Sequence, residues 1–120
     1  MQWKNFQPMI LLISLILLFS CKEYENIVIH DIPLKEAKNG IYAGEYNTTL
    51  VKAKVKVRVK DKAIEDIEII KHQCGQGKKA EKIIEHVIQK QSLQVDAISG
   101  ATYSSKVILK AVEKALRKSL

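Results

Sequence analysis

The clearest pattern along the chain is a strict alternation. Between positions 51 and 59, Val51, Ala53, Val55, Val57 and Val59 alternate with Lys52, Lys54, Lys56 and Arg58. Successive side chains of a strand point to opposite faces, so the run predicts a β-strand with one apolar face and one wet, cationic face. After "KDK" at 60–62, "AIEDIEII" at 63–70 predicts a second strand, and the two read as an antiparallel hairpin. The connection lacks the usual glycine, which leaves its turn type open. Upstream, "IVIHDIPL" at 27–34 reads as a short strand ended by Pro33. A turn at Asn39-Gly40 then leads into the brief extended segment "IYAGEY".

Helical spacing follows. Ala80, Ile83, Ile84, Val87 and Ile88 predict a helix over 78–90. "QSLQVDAISGAT" at 91–102 is a connector, with a short strand considered around 93–95. In the last segment Val107, Ile108, Ala111, Val112, Ala115 and Leu116 share one face. Lys106, Lys110, Glu113, Lys114, Arg117 and Lys118 fill the other, which is expected to be solvated. Strands first and helices after predict an α+β fold, a small antiparallel sheet with two main helices packed on it. No internal repeat is present.

The N-terminus follows a different pattern. Its first 20 residues carry one charged side chain, Lys4, ahead of an apolar run from Met9 to Phe19 broken only by Ser14. A membrane span needs about 20 apolar residues, so the run reads as a secretory signal sequence. Leu18-Phe19-Ser20-Cys21 resembles a bacterial lipobox, which implies cleavage before Cys21 and lipid attachment to it. An ordinary signal peptide with an incidental cysteine, and an uncleaved anchor, are the competing readings. The expected division is a signal peptide over 1–20, a lipidated cysteine with tether and short strand over 21–38, and one domain over 39–120. With Cys21 lipidated, Cys74 is the single remaining thiol and no internal disulfide forms. The net charge of +7 raises the question of nucleic acid. The lysines alternate on a strand or dot helix faces, so a solvated basic surface is expected instead, with no nucleic-acid partner.

The candidate chemistry sits in "VDAISGATYSS" at 95–105. Gly100 can adopt positive φ and admits a close backbone approach, and Ala101 keeps the next position small. Ser99, Thr102, Ser104 and Ser105 supply hydroxyls, and any of the last three is a candidate cap for the following helix. A helix start favours a phosphate. On composition alone the stretch is a plain cap or an anion-holding turn. Its order is more specific. Asp96-Ala97-Ile98-Ser99-Gly100-Ala101-Thr102 resembles the Asp-x-x-(Ser/Thr)-Gly-Ala-(Thr/Ser) flavinylation motif of the FMN-binding domain family. That family includes the C subunit of sodium-pumping NADH:quinone reductase and the G subunit of the Rnf complex. "NGIYAGEY" and the valine hairpin extend the resemblance over roughly residues 39–118. Asn39, where the family usually has aspartate, and Asp61-Lys62, where it often has Asp-Gly, depart from the pattern and bear on loop shape.

The resemblance implies FMN joined by a phosphoester to Thr102, installed from FAD by a separate magnesium-requiring flavin transferase that releases AMP. Ser99 is then a phosphate contact, and Gly100 and Ala101 clear the approach. Asp96 is a recognition residue or orients the turn by accepting backbone N–H bonds. His72 and Cys74 are too few for a tetrahedral metal shell and read as loop residues near the flavin, or Cys74 as an incidental thiol. "GQGKK" at 75–79 reads as a turn bordering it. Tyr42 and Tyr46 are expected to pack on the sheet. The function expected is a lipid-anchored, extracytoplasmic flavoprotein relaying electrons between membrane or extracytoplasmic redox proteins, rather than a stand-alone enzyme. A non-covalent FMN or other ligand-binding module, and a small extracellular flavin reductase, are the alternatives.

Overall fold

The computed structural model describes residues 27–73 and 77–120. The signal-like run, the box ending at Cys21 and Cys74 lie outside the described residues. Strands β1 (Gly40–Asn47), β2 (Lys52–Lys60) and β3 (Ala63–Gln73) form one antiparallel sheet in the order β1-β2-β3. The alternation is realised in β2, where Ala53, Val55, Val57 and Val59 are buried. Each buried valine contributes about 1.5–3 kcal/mol. The intervening cations face the open side of the sheet.

The hairpin turn resolves without glycine. Asp61 (φ 52°) and Lys62 (φ 63°) both take the left-handed conformation of a type I′ turn. The Asn39 side-chain oxygen accepts the Asp61 N–H at 2.9 Å, bracing the tip against the start of β1.

Strand β3 breaks its period twice. Val59 pairs with Ile64 but Arg58 with Asp66, leaving Glu65 as an extra residue, so Ile64 and Ile67 both reach the core. Val55 pairs with Ile69 but Lys54 with Lys71, leaving Ile70 extra. This second bulge reverses the faces beyond it. Lys71 turns outward, and His72 turns inward opposite Ala53.

The helix expected over 78–90 divides into a 3-10 segment, Gly77–Lys82, and helix α1, Ile83–Lys90. Helix α2 spans Thr102–Arg117. Helix α1 packs on β3 and α2 across β1 and β2, on the same face of the sheet. Gly44 sets the closeness of α2. A Cβ there would overlap the Ala111 carbonyl oxygen and stand 2.6 Å from the Ala115 nitrogen. The Lys38 N–H donates to the Ser119 carbonyl at 2.8 Å, and Lys114 lies over the Tyr46 ring. The helix therefore runs antiparallel to β1. From Lys114 back to Thr102 it extends about 18 Å, which carries its start past the Asn47, Lys52 and Gln73 end of the sheet.

Two short-strand expectations are corrected. Residues 93–95 pair with no strand; Leu93 is buried as a loop side chain. Residues 27–33 also pair with no strand, because the segment bonds to side chains instead. Its Ile27, Ile32 and the later Ala37 join the core. Asp31 accepts hydrogen bonds from the Ser92 hydroxyl (2.6 Å) and from the Leu93 and Ile32 N–H groups. Glu113 accepts the His30 N–H, and Lys110 donates to the Val28 carbonyl at 2.9 Å.

Glu113 is thereby the main departure from the expected solvated face. Its side chain is fully buried, paired with Lys110 (2.7 Å) and Arg117 (3.4 Å). The 27–33 segment lies along a second side of α2 through the His30 and Val28 bonds, and Leu109 of α2 is buried too. Burial alone would raise the Glu113 pKa. The Lys110 and His30 hydrogen bonds and the two cations outweigh it and hold the carboxyl below its ordinary value. Asp31 follows the same balance: burial raises it, and bonds from Ser92, Leu93 and Ile32, with Lys90 nearby, lower it overall.

Candidate functional site

The motif forms the turn into α2. Gly100 takes φ 77°, a conformation L side chains rarely adopt, and the Ala101 N–H closes the turn onto the Ile98 carbonyl at 2.9 Å. Ser105, one turn into the helix and fully buried, fastens it from inside. Its hydroxyl accepts the Ile98 N–H at 3.0 Å and donates to the Ala101 carbonyl at 2.7 Å.

This arrangement corrects the capping expectation. The N-cap is Ala101, not Thr102, Ser104 or Ser105, and no side chain caps the helix. Ala101 has no side-chain oxygen to offer, and its methyl is buried in the core. Ser105 is too deep to cap, because it serves the turn behind it. Asp96 does not accept backbone N–H bonds. Its side chain is exposed and makes no hydrogen bond or ion pair among the described residues. Ser105 holds the turn in its place. Asp96 instead lines an open depression of about 420 Å³ with His86, Gln89, Lys90 and Val95.

Thr102 is the first residue of α2. It is exposed, and its hydroxyl has no hydrogen-bond partner among the described residues. Ser99 is likewise exposed and unpaired. Gly100 faces the 3-10 segment. A Cβ built there would meet the Lys79 ammonium, with Lys79 Cε at 3.2 Å. The Ala80 side chain, fully buried, seats this segment against the core. Lys79 was not singled out as a site residue by the sequence. The only signal for it was the weak glycine-lysine run at 75–79.

At the same end of the sheet stands His72. Its side chain is 2% exposed, and neither ring nitrogen has a hydrogen-bond partner among the described residues. Glu81 Oε2 lies 3.6 Å from Nδ1, beyond hydrogen-bond range. The expected loop position is corrected, since His72 belongs to β3 and the bulge at Ile70 turns it inward. Tyr42 donates to the Lys38 carbonyl at 2.8 Å and Tyr46 lies under Lys114, so both pack on the sheet as expected.

The model of the FMN-binding domain matches residues 50–117, from the start of the valine hairpin to the end of α2. The chain belongs to the FMN-binding domain family. It is an FMN-binding protein, a flavoprotein, as the resemblance of its motif implied. No curated protein and no solved structure matches the chain. The motif residues fit the phosphate of FMN. An uncapped helix start gives N–H donors and the positive dipole end, and Gly100 supplies a position that any Cβ would fill. Thr102 supplies an unengaged hydroxyl beside them.

Proposed function

We propose that this FMN-binding protein is a lipid-anchored, extracytoplasmic electron carrier with FMN joined to Thr102. The observation that carries the reading is the exposed, unpaired Thr102 hydroxyl at an uncapped helix start, directly after Gly100, in a chain of this family. In the attachment the Thr102 oxygen bonds to the flavin-side phosphorus of FAD, and the bond between the two FAD phosphates breaks. AMP leaves, and the hydroxyl proton is released. A flavin transferase with magnesium performs this step.

The protein's own residues then do restricted work. Ser99 is a candidate hydrogen-bond donor to the phosphate, and the α2 start balances its charge. Asp96, exposed on the outer edge of the turn, is available for reading by the transferase. Bound FMN supplies the redox chemistry. A covalent link suits a protein outside the cytoplasm, because a dissociated flavin would be lost to the surroundings. Anchoring rests on the apolar run before Cys21, with residues 1–20 removed.

Co-expression with a flavin transferase tests the attachment. Denatured protein should remain yellow and carry the mass of one FMN less water, and Thr102→Ala should be colourless after denaturation. Flavin lost on denaturation would favour the non-covalent module instead. Fatty-acid labelling that disappears in Cys21→Ala tests the anchor, and unchanged membrane retention of that variant would refute it.

A further inference from the structure

Lys79 occupies an electrostatically awkward position. Its ammonium packs over Gly100, beside the positive end of the sixteen-residue helix α2, where a cation is disfavoured and an anion favoured. Lys79 makes no ion pair or hydrogen bond among the described residues, and neither does Asp96 in the motif itself. The neighbouring buried residues Ala80 and Ile83 hold the segment against the core, so packing accounts for the placement without any attraction. Both positive features lie next to Gly100, and a Cβ at residue 100 would collide with the exposed Lys79 ammonium.

Resting on the reading that FMN is carried on Thr102, we infer that Lys79 is a phosphate-binding residue of the flavin site. Its ammonium neutralises the phosphoryl group as it transfers to the Thr102 oxygen and remains its counterion in the finished phosphodiester. Lysine suits the task as a point charge on a flexible stem, which can swing from Gly100 to an oxygen of the phosphate. The same mobility tolerates the empty state, since the ammonium also reaches water.

The test uses the full chain, a flavin transferase, FAD and magnesium, with in-gel flavin fluorescence and melting temperature as readouts. Lys79→Met should slow flavin transfer to Thr102 about tenfold at low salt, with the deficit shrinking as salt rises. Lys79→Arg should keep most of the rate. Lys78→Met, which removes the same charge one residue away, should match the wild type. Before loading, Lys79→Met should melt at or above the wild-type temperature, because it removes a cation from a helix start. After loading, it should gain less stability than the wild type does.

Equal rates and equal gains on loading for Lys79→Met and wild type would overturn the inference while leaving the Thr102 assignment intact. An equal deficit in Lys78→Met would reduce it to net charge and overturn it as well. A wild type that accepts no flavin on Thr102 would overturn both.

Discussion

Glu113 sits in the second half of α2 with its carboxylate out of water, and it takes the His30 N–H and the charges of Lys110 and Arg117. His72, at the end of the sheet where α2 begins, is equally withdrawn, and its ring nitrogens have no partner among the described residues. The lysines follow the same division: Lys110 is tied to Glu113 and to the Val28 carbonyl, while Lys79 has no partner among the described residues. One end of the helix has its polar groups matched by 27–33, a segment about 80 residues away in sequence. The other leaves a hydroxyl, an ammonium and an imidazole unmatched in one neighbourhood. A buried group left without a partner costs about 1–3 kcal/mol, and of these three only the His72 imidazole is buried; the Thr102 hydroxyl and the Lys79 ammonium are exposed and open to a ligand.

The contrast breaks first at Glu113. Glu113→Leu removes the partner of Lys110, Arg117 and the His30 N–H, and because these groups keep access to water it should lower stability by about 1–3 kcal/mol in urea unfolding. A loss under about 1 kcal/mol would mean that the two ends do not differ as described.

Acid is a milder probe of the same end. Asp31 and Glu113 both hold their protons less tightly in the folded state than their ordinary values of 3.8 and 4.5 imply. Their contribution is therefore complete above those values and is lost as pH falls through the lower folded ones. Amide protection in 27–32 should fall before that of β2 as the solution is acidified below about pH 4.

The smallest effect is expected at the other end. His72→Leu replaces an unpaired imidazole by an apolar group, and should leave the unloaded protein's stability unchanged or raise it by up to about 1 kcal/mol. A clear loss in thermal melts would show that Glu81 already satisfies the ring.

Much of the fold could be read directly. The β2 alternation and the α2 apolar stripe are local periodicities, and both were realised. The two β3 bulges were hidden, because Ile64 and Ile67 three apart give no hint of where the extra residue falls. The inward turn of His72 was hidden with them. Glu113 was read as solvated since helical periodicity sees one covered face, and the second cover arrives from the opposite end of the chain. At the site, the order Asp96 to Thr102 was visible. Ser105 acting from inside the turn and Lys79 lying over Gly100 were not, because each depends on side-chain reach across the fold.

The packing of Ile27 into the core carries a consequence for the anchoring proposal. Only six residue steps separate Cys21 from Ile27, and even fully drawn out they cover about 20 Å. A domain on so short a leash cannot roam. If Cys21 carries the proposed lipid, the stand-off height above the bilayer would be capped at roughly the thickness of a small domain, and a partner in the proposed relay would have to present its donor or acceptor close to the lipid surface. Long-distance shuttling through the envelope would be excluded by length alone.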